Sequence, residues 1–86
     1  MGYKDSIEEA IICIFRNNKG KILEVRDMYN QLENYYELTK YQKEDDTKYP
    51  FPRYKHMVRS IIAQLKKKEI IIRIGYNQYK LKETQK

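Results

Sequence analysis

A basic amphipathic segment that runs directly into an isoleucine-rich hairpin pattern constrains the fold of this chain most strongly. Within residues 53–68 the apolar positions recur at the 3.6-residue period of an α-helix. These positions are Tyr54, Val58, Ile61, Ile62 and Leu65. The other side of the predicted helix is polar and cationic, and the segment has no acidic residue before Glu69. This pattern predicts a helix with one buried stripe and one positively charged face.

Two short strand patterns follow this helix. Residues 70–74 are rich in β-branched side chains, residues 75–77 have the composition of a turn, and residues 78–82 alternate polar with apolar side chains. The pattern predicts an antiparallel hairpin over residues 70–82 with one solvent-exposed face. Residues 83–86 are expected to fray as a tail.

The N-terminal part of the chain predicts a helix and a short strand. Ser6 and Glu9 have the spacing of a capping box, and an apolar face follows them, which predicts a helix over about residues 6–17. Ile22 and Leu23 are too few for an ordinary strand but can add one short strand to a small sheet. The single cysteine, Cys13, lies in the first apolar run and is expected to be a small buried hydrophobe in a reducing compartment.

The middle of the chain predicts a second helix and then a long loop. Apolar residues at helical spacing predict the helix over about residues 24–35. Residues 36–52 are charged and polar and end in two prolines, so they predict a loop or arm longer than the usual maximum of about 12–15 residues. Tyr49 and Phe51 are expected to anchor the end of this loop on the core.

The predicted order of elements is helix, short strand, helix, loop, helix, hairpin. This order is that of a winged helix-turn-helix, an α+β fold that is mainly α, with a C-terminal hairpin as the wing. At 86 residues the chain is expected to form one domain, residues 1–86. The arrangement would bury the apolar stripes of three helices against one another and against the inner face of the hairpin.

The C-terminal half of the sequence also carries a set of residues with a family resemblance. They are Tyr49, Pro50, Tyr54, His56, Val58, Arg59, Ile62, Leu65, Lys68, Glu69, Ile70, Ile71, Gly75, Tyr79 and Leu81. This set resembles the winged-helix domains attached to prokaryotic restriction endonucleases, and forkhead and linker-histone domains share the same scheme. The first half matches only in the order of its elements. No nuclease domain accompanies these residues, so the resemblance does not imply a restriction role.

The resemblance implies that the third helix enters the major groove of duplex DNA and that the hairpin wing lies on the backbone or minor groove. The chemistry of the residues agrees, because Arg59, His56 and Gln64 can bond to base edges, and lysines suit phosphates. Ser60 and Ala63 are small and would let the helix lie deep in a groove. The candidate DNA-binding residues are Arg53, Lys55, His56, Arg59, Ser60, Gln64, Lys66, Lys67, Arg73, Lys80 and Lys82.

Net charge indicates the class of partner. The formal charge is +6 and the pI is about 9.4, so nucleic acid and anionic membrane surfaces are the leading partner classes. The element order favours double-stranded DNA as the partner and transcription regulation as the role, with a protein partner possible and no small-molecule substrate. The sequence offers no heptad or extra apolar helix as a dimer interface, so a monomer is expected. The sequence has neither a signal-peptide pattern nor an apolar run of spanning length. We therefore expect an intracellular protein, located in the cytoplasm or nucleoid of a prokaryote or in the nucleus of a eukaryote.

An enzyme is the less favoured alternative. Asp27, Asp46 and Lys48 have a superficial similarity to the carboxylates and lysine of restriction-type nucleases, but they fall on a predicted helix and a polar loop. The lone histidine, His56, has no second metal ligand at usable spacing. We therefore expect a non-catalytic chain without metal or cofactor.

A protein-interaction module is the main rival, because a fold does not dictate one function. In this alternative the third helix or the loop of residues 36–52 packs on a protein partner. The feature that discriminates is whether the acidic residues 44–46 fold back over Arg53 and Arg59.

A further, minor alternative is that tyrosines stack on the bases of single-stranded nucleic acid. In this alternative the exposed tyrosines would be Tyr36, Tyr41 and Tyr76.

Overall fold

In a computed structural model that describes residues 5–48 and 50–82, the chain forms four helices and a three-stranded antiparallel sheet within those residues. The elements are α1 (Ile7–Asn17), β1 (Leu23–Glu24), α2 (Val25–Leu32), α3 (Lys40–Lys43), α4 (Arg53–Lys67), β2 (Ile71–Gly75) and β3 (Gln78–Leu81). The predicted α+β class is confirmed. The predicted tail at residues 83–86 and the predicted anchor Tyr49 lie outside the described residues.

Helix α1 begins where its capping residue predicts. The Ser6 hydroxyl oxygen accepts a hydrogen bond from the Glu9 backbone N–H at 3.1 Å, and the hydroxyl donates to the Glu9 carboxylate at 3.4 Å. At the other end, the Asn18 side-chain amide donates to the Ile14 carbonyl at 2.8 Å. The buried face of α1 consists of Ile7, Ala10, Ile11, Ile14 and Phe15.

Helix α2 is shorter than the sequence predicts. It ends at Leu32, where the Asn34 N–H donates to the Gln31 carbonyl at 3.0 Å and the Tyr35 N–H donates to the Leu32 carbonyl at 2.9 Å, so that bonds between residues three apart replace the helical ladder. The Tyr35 hydroxyl also accepts from the Asn17 side chain at 2.7 Å, a bond to α1 that the local pattern does not reveal. Tyr36 was expected to be exposed but is half-buried against the core.

The predicted loop of residues 36–52 contains a short helix, α3. Thr39 and Gln42 form a capping box: the Thr39 hydroxyl accepts from the Gln42 N–H at 3.1 Å, and the Gln42 amide oxygen accepts from the Thr39 N–H at 2.9 Å. Leu38, which is buried, fixes this segment to the core. The loop then closes on the start of α4 through the Arg53 N–H, which donates to the Glu44 carbonyl at 2.8 Å.

The core lies between α1, α2, α4 and the inner face of the sheet. Its largest fully buried side chains are Phe15, Ile11, Ile14, Met28, Leu32, Leu65, Ile71 and Val58. The predicted stripe of α4 is present, with Val58, Ile62 and Leu65 buried and with Tyr54 and Ile61 partly buried against the core. The prediction for Cys13 was wrong: this residue is half-buried, because it lies beside the core-facing positions of α1 and not among them.

The hairpin forms where the sequence predicts it and occupies two strands of the sheet. Strand β3 is central, so the sheet order is β1-β3-β2. The predicted short strand at residues 22 and 23 is shifted by one residue, since β1 begins at Leu23 and Ile22 is 51% exposed. Between β2 and β3 the ladder has an irregularity at residues 73–75, and the chain then reverses at Tyr76 and Asn77.

Candidate nucleic-acid interface

Helix α4 presents a continuous polar face to solvent. Because its buried residues recur at the helical period, the intervening positions point away from the core. The exposed positions are His56, Met57, Arg59, Ser60, Ala63, Gln64, Lys66 and Lys67. Ser60 and Ala63 are small, so a partner can approach closely at the middle of this face.

Arg59 carries an exposed guanidinium on this face. Its Nη1 atom donates to the Asn77 side-chain oxygen at 3.5 Å, a neutral partner in the hairpin turn. Within residues 5–48 and 50–82, no carboxylate lies at salt-bridge distance from Arg59. Its positive charge therefore remains available to an anion.

Arg53 has different surroundings, although it belongs to the same helix. Its Nη1 atom donates to the Tyr41 carbonyl at 3.1 Å and lies 3.5 Å from a Glu44 carboxylate oxygen. Its guanidinium carbon lies 4.0 Å from the centroid of the Tyr41 ring, and its side chain is only 19% exposed. The acidic residues 44–46 thus place a carboxylate beside Arg53 but not beside Arg59. Arg53 therefore contributes less positive charge to the exposed face of α4 than the sequence suggests.

The lysines of α4 fall into two groups. Lys66 and Lys67 are exposed near the helix C-terminus, and in the described part of the chain neither has a carboxylate at salt-bridge distance. Lys55 is half-buried, with its ammonium 5.1 Å from the centroid of the Tyr29 ring. Cations near a helix C-terminus are favoured by the helix dipole, so Lys66 and Lys67 can remain charged and unpaired there.

The cations of the hairpin do not share one surface. Arg73 is opposite Tyr79 in the ladder and Lys80 is opposite Ile72. Because consecutive strand residues alternate between faces, Arg73 and Lys80 lie on opposite faces of the hairpin. Lys82 forms an ion pair with Glu69 at 2.6 Å, and this hydrogen bond and charge lower the pKa of the Glu69 carboxyl.

Sequence reasoning did not include the turn of the hairpin among the candidate residues. Tyr76 is 83% exposed, and Asn77 adopts a left-handed backbone conformation with φ 57°. The Asn77 carbonyl accepts from the Val25 N–H at 3.0 Å, which holds the turn against the start of α2. The Tyr76-Asn77 dipeptide indicates a turn from the local sequence, but it does not indicate that Asn77 contacts Arg59.

Tyr54 connects the interface helix to α2. Its ring packs edge-to-face on Tyr29, with centroids 6.2 Å apart and planes at 87°. Burial raises the pKa of the Tyr54 hydroxyl, and the nearby Glu33 and Tyr29 add to the increase. The tyrosine pair therefore fixes the position of the first turns of α4 relative to α2.

The residues considered for nuclease chemistry make local contacts. Asp27 accepts from the Glu24 N–H at 2.9 Å at the start of α2, and Asp46 accepts from the Lys48 N–H at 2.8 Å within the loop. Among the residues that the structure describes, no group of three His, Cys, Asp or Glu side chains could hold a metal ion.

Comparisons with protein-family models, with curated proteins and with solved structures found no match to this chain. Within the described ranges, none of the helices has both the length and the apolar character needed to cross a bilayer. Function must therefore be inferred from the residues and their geometry.

Proposed function

We propose that this chain is a winged-helix domain that binds duplex DNA, with α4 in the major groove and the β2–β3 hairpin as a wing on the backbone. The observation that carries the proposal is the exposed face of α4, which holds Arg59, Lys66 and Lys67 without carboxylate partners in the described residues. The helix has 15 residues, and an α-helix with its side chains, about 10–12 Å across, fits the major groove of B-DNA.

The order of elements supports the same proposal. A short strand follows α1, then α2 and the four-residue helix α3 precede α4, and a hairpin follows α4, with β1 paired to the last strand of the hairpin. In this scheme α2 and the sheet support α4 from behind. The hairpin turn then lies beside α4, since Asn77 contacts Arg59.

The roles of individual residues follow from chemistry and exposure. Arg59, His56 and Gln64 bond to base edges, while Lys66 and Lys67 bond to phosphates. Further phosphate contacts come from Lys55 and from the hairpin residues Arg73 and Lys80. Because the two hairpin residues lie on opposite faces of the ladder, they contact phosphates on either side of the wing. Arg53 and Lys82 contribute less, because each is ion-paired within the chain.

The test is duplex affinity measured over a series of salt concentrations, by fluorescence anisotropy with a random-sequence duplex. If about five phosphates are neutralised, log affinity falls against log salt with a slope of about −4 to −5. In the Lys66→Gln/Lys67→Gln variant two phosphate contacts are removed, so the slope should be smaller in magnitude by about 2. A Lys19→Gln/Lys40→Gln variant removes the same charge from exposed positions outside α4 and the hairpin, and it should change the slope less. Undetectable affinity at low salt would refute the proposal.

A protein-interaction module is the second candidate, and exposed apolar side chains in β2 and just before β1 favour it. Ile22, Ile72 and Ile74 are 51%, 37% and 44% exposed, and the Arg53–Glu44 pair partly neutralises one end of α4. The two candidates differ in the duplex affinity of wild type and an Ile72→Thr variant. If α4 and the hairpin cations bind DNA, both proteins bind duplex with equal and measurable affinity, whereas the protein-interaction module predicts that neither protein binds duplex.

A further inference from the structure

Three elements meet at Asn77. This residue is the second of the two residues between the last pair of the β2–β3 ladder, Gly75 with Gln78. Its backbone carbonyl accepts from the Val25 N–H at 3.0 Å, and its side-chain oxygen accepts from Arg59 Nη1 at 3.5 Å. One residue of the hairpin turn therefore connects the start of α2, through its backbone, to the exposed face of α4, through its side chain.

The backbone of Asn77 is held independently of its side chain. Its φ of 57° lies in the left-handed region, which asparagine tolerates better than most residues other than glycine. Val25 is the first residue of α2, so its N–H has no acceptor within that helix and the Asn77 carbonyl supplies one. The turn is thereby fixed on the helical scaffold, and the side chain of Asn77 extends towards Arg59 from a fixed backbone.

A guanidinium that reads a base gains from such a fixed neighbour. Arg59 has a long side chain with many rotamers. Recognition of guanine by two parallel hydrogen bonds requires a single orientation of its guanidinium. The amide oxygen of Asn77 accepts from one N–H group and leaves the other donors available. Because the amide is neutral, it orients Arg59 without offsetting the charge that attracts phosphate.

We propose that Asn77 is a positioning residue for Arg59, so that the hairpin turn sets the sequence preference of α4 without itself reading a base. This inference rests on the proposed function, in which α4 binds duplex DNA. It assigns to Asn77 an effect on discrimination between sequences, whereas the lysines of α4 affect affinity for every sequence.

Two substitutions at Asn77 test the proposal, one by removing the acceptor and the other by giving it a charge. Asn77→Gly keeps the left-handed turn and its carbonyl but removes the acceptor, so affinity for the preferred duplex should fall by roughly tenfold, while affinity for random duplex and the salt slope stay the same. Asn77→Asp keeps an acceptor but adds a charge that pairs with Arg59. Affinity for all duplexes should then fall, and the salt slope should lose about 0.9 in magnitude.

A double-mutant cycle distinguishes positioning from a general structural role. In the Arg59→Ala background, Asn77→Gly should have no further effect on discrimination, because the residue that it positions is absent. Tyr76→Ala changes the neighbouring turn residue and serves as the matched control, whose effect should add to that of Arg59→Ala. Additive effects of Asn77→Gly and Arg59→Ala would overturn the proposal.

NMR relaxation of the Arg59 Nε–H group in the free protein gives a readout that does not require DNA. The group should be ordered in the wild-type protein and mobile in Asn77→Gly. If the wild-type protein binds no duplex but this loss of order is seen, the proposed function fails while the positioning contact is supported. If duplex is bound and Arg59 has equal mobility in both proteins, the inference fails and the proposed function stands.

Discussion

At the scale of single residues, the two arginines of α4 show that neighbours decide what a cation can do. Arg53 lies against the Tyr41 ring and carbonyl and beside the Glu44 carboxylate, so its charge is partly offset within the chain. Arg59 contacts only a neutral amide among the described residues. A partly neutralised charge attracts an external phosphate less strongly than an unpaired one. We therefore expect Arg59, and not Arg53, to be the arginine of α4 that matters for DNA binding.

We predict different losses for Arg59→Ala and Lys80→Ala. Arg59→Ala should weaken binding to the preferred duplex by about 1–3 kcal/mol and relax sequence preference, as expected when an arginine that reads a base is removed. Lys80→Ala should weaken binding to all sequences about equally, because a phosphate contact carries no sequence information. Affinities for a panel of duplexes with single base changes measure both effects. Equal losses across the panel for both variants would show that Arg59 does not read a base.

The raised pKa of Tyr54 predicts a loss of stability at high pH. Folding raises the pKa of the hydroxyl above its ordinary value of 10.0, first through burial, so the unfolded chain ionises at lower pH than the folded one. The contribution to stability is complete below about pH 10 and declines as pH rises through the folded pKa. The free energy of unfolding of wild type and Tyr54→Phe, measured from about pH 8 to about pH 11, should diverge only above about pH 10. Parallel profiles would contradict this prediction.

At the scale of elements, the end of α4 determines where the hairpin begins. The Ile70 N–H donates to the Leu65 carbonyl at 2.9 Å and the Glu69 N–H donates to the Lys66 carbonyl at 3.0 Å, which are the bonds of a Schellman motif. Glu69 takes the left-handed position of this motif, with φ 63°, where glycine is the usual residue. Its carboxylate pairs with Lys82, so the same residue joins the helix end to the base of the hairpin.

We predict that Glu69→Gly is more stable than Glu69→Ala by about 1 kcal/mol. Both variants lose the ion pair with Lys82, but alanine retains the cost of a left-handed conformation, about 1–2 kcal/mol, and glycine does not. Glycine also gives the unfolded chain more conformational entropy, which destabilises the folded state and offsets part of this difference in the free energy of unfolding. Urea denaturation of the two variants measures it, and equal stabilities would contradict a left-handed backbone at residue 69.

At the scale of the whole molecule, one core supports the exposed face of α4. Phe15 of α1, Met28 of α2 and Leu65 of α4 are all at most 1% exposed, so the three longer helices are packed on one another. Ile71, also 1% exposed, brings the start of the hairpin onto the same core. The orientation of the polar face of α4 therefore depends on residues that never reach the surface.

We predict that Phe15→Ala removes much of the stability of the domain. Truncation of a fully buried phenylalanine costs about 3–5 kcal/mol, and small domains are stable by only about 5–15 kcal/mol. Chemical denaturation should show this loss, and any duplex binding should weaken as the folded population falls. Tyr76→Ala, at a highly exposed position, should change stability by no more than about 0.5 kcal/mol. Similar stabilities of the two variants would contradict the described core.

Local sequence predicts the boundary of a helix well only where the contacts that set the boundary join residues close together in the chain. The start of α1 was predictable because the Ser6 cap is a contact between residues three apart. Helix α3 was missed because four residues have no apolar stripe, although Thr39 and Gln42 carry the spacing of a capping box. The end of α2 was misplaced because Tyr35 is held by Asn17, which is 18 residues away.

The sequence by itself determined the start of α1, the place of the hairpin and the phase of α4, since helical periodicity, strand alternation and capping depend on residues within a few positions of one another. Only the tertiary structure decided which cations remain available. The pairing of Arg53 with Glu44, the contact of Arg59 with Asn77 and the ion pair of Lys82 join residues that are 9, 18 and 13 positions apart. Charge interactions depend on distance in space, and chain folding alone sets that distance.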